Sequence, residues 1–162
     1  MFRFGLPWLR LSLLVVLLDQ ASKRLLEGTI APFQPVPVVP SFNLLLTYNP
    51  GISFSFLQLP GAVQRWPLSI FTLIVLVLLV RWMRGVPKER SLLLAGIAMV
   101  IGGAAGNLID RVLRGEITDF IQLYAGSWSF AIFNLADAAL NIGVGLILID
   151  TFRQRKTPAV GT

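Results

Sequence analysis

Two aspartates, Asp119 and Asp137, stand in a chain that contains neither His nor Cys. That absence excludes the imidazole chemistry of serine, cysteine and most zinc hydrolases, together with thiolate zinc sites and disulfides. Catalysis is left to carboxylates, Lys, Ser, Thr or Tyr. Two carboxylates held close together cannot both ionise comfortably, so they share a proton and titrate as a pair. One member then takes a proton from water while the other protonates or hydrogen-bonds a scissile carbonyl, which is acid-base peptide hydrolysis without metal or cofactor.

The elements that must position this pair are set by composition. Of the 162 residues, 55 % are hydrophobic and 14 % charged, against about 25 % charged in soluble domains. The length fits one domain, residues 1–162, and the expected solvent is a bilayer. Four apolar stretches approach the roughly 20 residues that cross a hydrocarbon core: Leu9 to Leu26, Trp66 to Trp82, Leu92 to Val112, and Phe130 to Thr151. The reading is a mainly α integral membrane protein of four transmembrane helices with a small extramembrane β-sheet on the outer side. The sheet is expected in the Pro-rich segment 28–64, with Ser41–Tyr48 and Gly51–Phe56 paired across an Asn49-Pro50-Gly51 turn.

Arg81, Arg84, Lys88 and Arg90 in the short link between spans two and three place that link in the cytoplasm, and both termini with it. Arg3 and Arg10, then Arg153, Arg155 and Lys156, agree. The net charge of +6 is thus explained by topology and anionic lipid headgroups, not by nucleic acid. Asp19 interrupts the first apolar run and no A-x-A site follows it, so this run is read as a retained span and not a cleaved leader.

Tracing each span in its own direction brings Asp19 and Lys23, then Asn107, Asp110 and Arg111, then Asn134 and Asp137, to one outer layer. Six of the eight acidic residues, Asp19, Glu27, Asp110, Glu116, Asp119 and Asp137, lie in the outer half. Ionisable groups in lipid cost at least about 2.5 kcal/mol each and normally face a bundle interior or a watery cavity. Asp19 and Lys23, at i and i+4, share a helix face and suit either an ion pair or the site. Asn134, Asp137 and Asn141 share another, with Asp137 expected about two turns inside span four and Asn141 bonding to a neighbouring helix. The Gly102-Gly103-Ala-Ala-Gly106 run permits close approach of a helix or a substrate backbone.

In order along the chain stand Asp19-Gln20-Ala-Ser-Lys23, Asn49-Pro-Gly51-Ile-Ser-Phe54, Gly102-Gly103-Ala-Ala-Gly106-Asn107-Leu-Ile-Asp110-Arg111, Asp119-Phe120 and Phe133-Asn134-Leu-Ala-Asp137. With four spans, these blocks resemble the bacterial signal peptidase II family of membrane aspartic proteases over nearly the whole chain. The resemblance implies that Asp119 and Asp137 are the catalytic dyad, that Asn49, Gly103, Asn107, Arg111 and Asn134 line the site, and that Asp19 and Lys23 support it. It implies a prolipoprotein substrate whose Cys carries a diacylglyceryl group, cut just before that Cys. The expected setting is the bacterial inner membrane, with the site near the outer face, membrane lipids around a working monomer, and no metal or cofactor. Ile52 and Ser53 stand where the family usually has small alanines.

Phe42, Leu44, Leu46, Phe54 and Phe56 alternate in places with polar positions, which predicts a sheet lying on the membrane surface and holding the lipidated segment. Two other functions compete. A proton-coupled transporter also uses intramembrane Asp, but nothing marks a path through the inner half and there is no inverted repeat. A Ser-Lys peptidase would need Lys23 with Ser22, Ser53 or Ser55, and adjacent Ser22 and Lys23 point to different helix faces.

Overall fold

A computed structural model describes residues 5–50, 61–126 and 128–155, the side chains of 61–64 and 155 aside. A single 3-10 turn, Leu6–Trp8, leads into helix α1 (Leu9–Glu27), which Gly28 closes. Strands β1 (Val36–Val39) and β2 (Phe42–Asn49) follow, then helices α2 (Gly61–Gly85) and α3 (Ser91–Arg114), strands β3 (Ile117–Ala125) and β4 (Trp128–Phe133), and helix α4 (Leu135–Arg155). The strand expected at Gly51–Phe56 lies outside the described residues, as do Arg3, Ser53, Ser55 and Lys156.

Among the described residues, three helices are long and apolar enough to cross a membrane: Arg65–Gly85, Ser91–Arg114 and Leu135–Gln154. The expectation of four spans is therefore met in three. Helix α1 differs because it carries Arg10, Asp19, Lys23 and Arg24 along its length. Helix α3 is the hub, packing against α1, α2 and α4. By contrast, Ile70, Phe71, Leu73, Ile74, Val77 and Leu78 of α2 are all more than half exposed, as a lipid-facing helix side requires. At the end where α2 finishes and α3 begins, Met83, Val86, Leu93, Leu94 and Ile97 form a buried apolar cluster. Arg90 and the buried Asp150 tie α3 to α4 there.

The sheet is antiparallel in the order β1-β2-β3-β4. It is built from two excursions of the chain at the end of the bundle where α1 and α3 finish. Ile117–Ala125, which follows the third apolar stretch and carries Asp119, is a full strand. Phe130–Phe133, expected as the start of the fourth span, belongs to β4: Trp-Ser-Phe-Ala-Ile-Phe is aromatic and alternating, and it finds a partner in β3. A register shift in β2 between Leu44 and Thr47 breaks the expected alternation. Leu46 is consequently fully buried and cannot present itself to a membrane.

Close approach explains the glycine run in α3. A Cβ on Gly103 would stand 2.3 Å from the Ala136 carbonyl oxygen, and one on Gly106 would stand 2.7 Å from Asp19 Oδ2. Gly103 therefore sets how near α4 lies, and Gly106 leaves room for a carboxylate from α1. Gly103→Ala is expected to lower unfolding stability in detergent by about 1–3 kcal/mol through overpacking. It should also lower turnover, because α4 is pushed back where Asp137 is carried; an unchanged melting temperature would contradict this packing.

Candidate active site

Helix α4 begins at a reciprocal cap. Asn134 Oδ1 accepts the Asp137 backbone N–H at 2.9 Å, and Asp137 Oδ2 accepts the Asn134 backbone N–H at 3.2 Å. This is a capping box built from Asn and Asp. It places Asp137 in the first turn of the helix, not two turns inside. With its oxygen engaged by a backbone donor, the Asn134 amide must turn its NH2 outward, and Nδ2 donates to Asp119 Oδ1 at 2.7 Å. The same NH2 lies 3.1 Å from Asn107 Oδ1 and 3.2 Å from the Thr118 carbonyl. One side chain thus binds both aspartates, one from β3 and one from α4.

Each carboxylate has a further amide donor. Asn107 Nδ2 donates to Asp137 Oδ1 at 2.7 Å, and Asn49 Nδ2, at the end of β2, donates to Asp119 Oδ2 at 3.3 Å. Beneath them lies a buried ionic cluster: Lys23 Nζ stands 2.8 Å from Asp19 Oδ2 and 2.8 Å from Asp110 Oδ2. Lys23 also donates to Asn107 Oδ1 at 3.1 Å. Asp19 Oδ1 accepts the Ala136 backbone N–H at 3.0 Å, joining α1 to the first turn of α4. Arg111 is buried, with the charges of Asp110 and Asp137 acting on it, and its Nε has no hydrogen-bond partner among the described residues.

The sequence matches the family model for signal peptidase (SPase) II over residues 11–153. It is 42 % identical over 158 residues to the lipoprotein signal peptidase of Ectopseudomonas mendocina, covering 96 % of this chain and 94 % of that one. The chain belongs to the signal peptidase II family. A second relative, the lipoprotein signal peptidase of Hydrogenovibrio crunogenus, is 41 % identical over 142 residues, 88 % of this chain and 83 % of that one. Two solved structures, each titled a bacterial membrane enzyme, superpose at TM-scores of 0.83 and 0.79 with 29 % and 31 % identity. They cover 100 % and 91 % of this chain, and 98 % and 93 % of their own. Membership makes the chain a peptidase of lipoprotein processing, and its apolar helices fit a multi-pass membrane protein.

Within that signal peptidase II chain, Asp119, Asp137, Asn49, Asn107 and Asn134 form one hydrogen-bonded group with Lys23 and Asp19 beneath it. Arg111 borders the group without bonding to it, and Gly103 packs α3 on α4. Asn141 does not reach another helix; its Nδ2 donates to the Asp137 carbonyl one turn back. Two further members, which the sequence puts in the outer layer or in a motif block, were given no place in the site. Asp110 is the second carboxylate on Lys23, and Gln20 Nε2 lies 2.9 Å from Asp110 Oδ1 and 3.2 Å from Asp19 Oδ2. Gln20, next to Asp19, was legible as polar within an apolar run; nothing marked the Arg114 to Glu27 ion pair that ties α3 to the end of α1.

Burial first, then the charge of Asp137, pushes the Asp119 carboxyl up from 3.8 to about 6, against the donors of Asn49 and Asn134 and the charge of Lys23. A folded-state value above the unfolded one stabilises the protein fully below the unfolded value, and that contribution is lost as pH rises through the folded one. The size is on the order of 3 kcal/mol for a shift of about two units. The melting temperature of Asp119→Asn relative to the unaltered protein is therefore expected to climb from about pH 4 to 6 and level off above 7. A difference independent of pH would show that Asp119 titrates normally.

Proposed function

We propose that this chain is a membrane aspartic endopeptidase that removes the signal peptide from diacylglyceryl-modified prolipoproteins, cutting before the lipidated Cys. The observation that carries the reading is the Asn134 side chain and backbone bonding to Asp119 and Asp137 together. Support for the substrate comes from relatives named lipoprotein signal peptidase.

In this mechanism the shared proton rests on Asp119, whose neutral form burial favours. Asp137 takes a proton from a water, whose oxygen attacks the scissile carbonyl carbon, while Asp119 gives its proton to the carbonyl oxygen. Collapse of the resulting diol breaks the C–N bond, with the proton on Asp137 passing to the leaving nitrogen and a diol hydroxyl returning its proton to Asp119. Arg111 stands beside Asp137 with its Nε unpartnered among the described residues and can hold a substrate carbonyl. One copy of the chain carries the whole group.

Strand alternation gives the substrate a path. Cross-strand pairing puts Phe42, Leu123 and Ala131, then Leu44, Ile121 and Phe133, on the sheet face that carries Asp119. This apolar platform suits a lipid-bearing segment. The positive link between α2 and α3 supports an outer position for the sheet end. Helix α1 is read as the fourth span, because Asp19 and Lys23 turn inward and offset one another while Leu13, Leu14, Leu17 and Leu18 remain exposed.

Purified protein should cleave a diacylglyceryl-modified prolipoprotein, and Asp119→Asn or Asp137→Asn should each lower kcat by at least about 1000-fold while melting cooperatively. Substantial turnover by either variant would sink the dyad. Equal cleavage of the unmodified precursor would sink the lipid requirement. Phe42→Ser with Leu44→Ser should raise KM more than it lowers kcat, as removal of uniform substrate binding does.

A further inference from the structure

Three protons on the Lys23 ammonium meet three acceptors: Asp19 Oδ2, Asp110 Oδ2 and Asn107 Oδ1. Lys23 is 2 % exposed and Asp19 0 %, so no water competes for these positions. Two carboxylates would suffice to neutralise the cation. The third contact falls on a neutral amide whose other end touches Asp137, and that contact has a directional consequence.

An Asn amide can sit either way round, its oxygen and NH2 exchanged by a half turn, and its surroundings decide which. Asn107 Oδ1 faces two donors, Lys23 Nζ at 3.1 Å and Asn134 Nδ2 at 3.1 Å. A half turn would set the Asn107 NH2 against an ammonium and a second NH2, three donors without an acceptor, and present an oxygen to the Asp137 carboxylate. Buried polar groups left in that state each cost their full desolvation. The Asn134 donor alone would not hold the amide, because that NH2 has the Thr118 carbonyl and Asp119 as alternative acceptors. The Lys23 donor has no comparable freedom, being fixed on two sides by Asp19 and Asp110.

We propose that Lys23 is a positioning residue: its charge, held by Asp19 and Asp110, locks the Asn107 amide so that Asp137 always receives an N–H. Resting on the dyad reading above, this gives the buried ion cluster a task beyond joining α1 to α3. The Asp137 carboxylate is held in one rotamer by a donor on each oxygen, Asn107 Nδ2 on Oδ1 and the Asn134 backbone N–H on Oδ2. Without the cation, the amide samples both orientations and Asp137 loses its fixed aim at the attacking water.

The test uses the full chain in detergent micelles, labelled with 15N-asparagine. In the unaltered protein the two Asn107 side-chain protons should be distinct and protected from exchange with solvent. Averaged or rapidly exchanging protons overturn the proposal with no substitution needed. The triple variant Lys23→Met, Asp19→Asn, Asp110→Asn leaves no bare buried charge and keeps the shapes of the acidic residues. It should lose the Asn107 signature and about 30- to 300-fold in kcat, with KM changed by less than about threefold. A cluster that served only to hold helices together would lower the melting temperature and leave the amide signature in place. Wild-type kcat in a folded triple variant overturns the proposal. If the triple variant does not fold, Lys23→Arg decides: retention of the amide signature with more than about a tenth of wild-type kcat supports the proposal, and loss of either at an unchanged melting temperature overturns it. Asp119→Asn in the same assay separates the two claims, since cleavage surviving there defeats the dyad reading itself.

Discussion

A lysine ammonium buried between two carboxylates is the interaction on which the rest of this architecture depends. Removing an ion from water carries a penalty of several kcal/mol even after relaxation, recovered only when geometry and hydrogen bonding are nearly complete. Lys23 meets that condition with two oxygens at 2.8 Å and an amide oxygen at 3.1 Å. The acids put their other oxygens to use, Asp19 on the Ala136 N–H and Asp110 on Gln20, while Asp110 Oδ2 also accepts the Thr118 N–H. Those bonds join α1, α3, β3 and the first turn of α4. Loss of one partner would leave a bare charge in the bundle, an effect of about 3–5 kcal/mol. The helices therefore have little freedom to slide past one another near the candidate site.

Burial in a bilayer reverses the usual distribution of polar and apolar surface. Helix α3 places Asn107, Asp110 and Arg111 inward, and α2 offers lipid a nearly unbroken apolar side. What a soluble protein would solvate must here be satisfied internally. The capping box at Asn134 shows how economically this is done: the same amide that starts α4 also bonds Asp119, so helix initiation and assembly of the carboxylate pair are one event. Asp119 is the exception. Its burial beside Asp137 destabilises the fold at neutral pH, the kind of local cost that persists where chemistry needs it.

Much of this was legible because charge in an apolar chain is conspicuous. Asp19, Lys23, Asn107, Asp119, Asn134 and Asp137 were all picked out from residue type and spacing. What escaped was the backbone that carries some of them. Trp128–Phe133 is short and apolar, and period alone does not separate such a run from the start of a buried helix. The arbiter was present in Asn134-Leu-Ala-Asp137, a capping pattern that begins a helix after position 134. Strand β3 was hidden for another reason: its partner β2 is about 70 residues away in sequence, and no local signal announces a non-local pairing. The number of spans was ambiguous because α1 pairs its charges with another helix, a fact composition does not contain.

Register is the last constraint, and it bears directly on the carboxylates. Asp119 reaches Asn134 and Asn49 only because β3 turns its odd-numbered residues toward that side. The shift between Leu44 and Thr47 then brings Thr47 opposite Asp119, and Asn49 opposite Ile117. Without the extra residue in β2, the pairing of Leu44 with Ile121 would continue as Leu46 with Asp119. Asn49 would move beyond the strand end, and the fully buried Leu46 would be turned onto the face of the carboxylates. Side chains alternate with a period of two, so a one-residue slip exchanges one face for the other. The irregularity in β2 is thus what allows one strand both to bury Leu46 and to deliver an amide to Asp119.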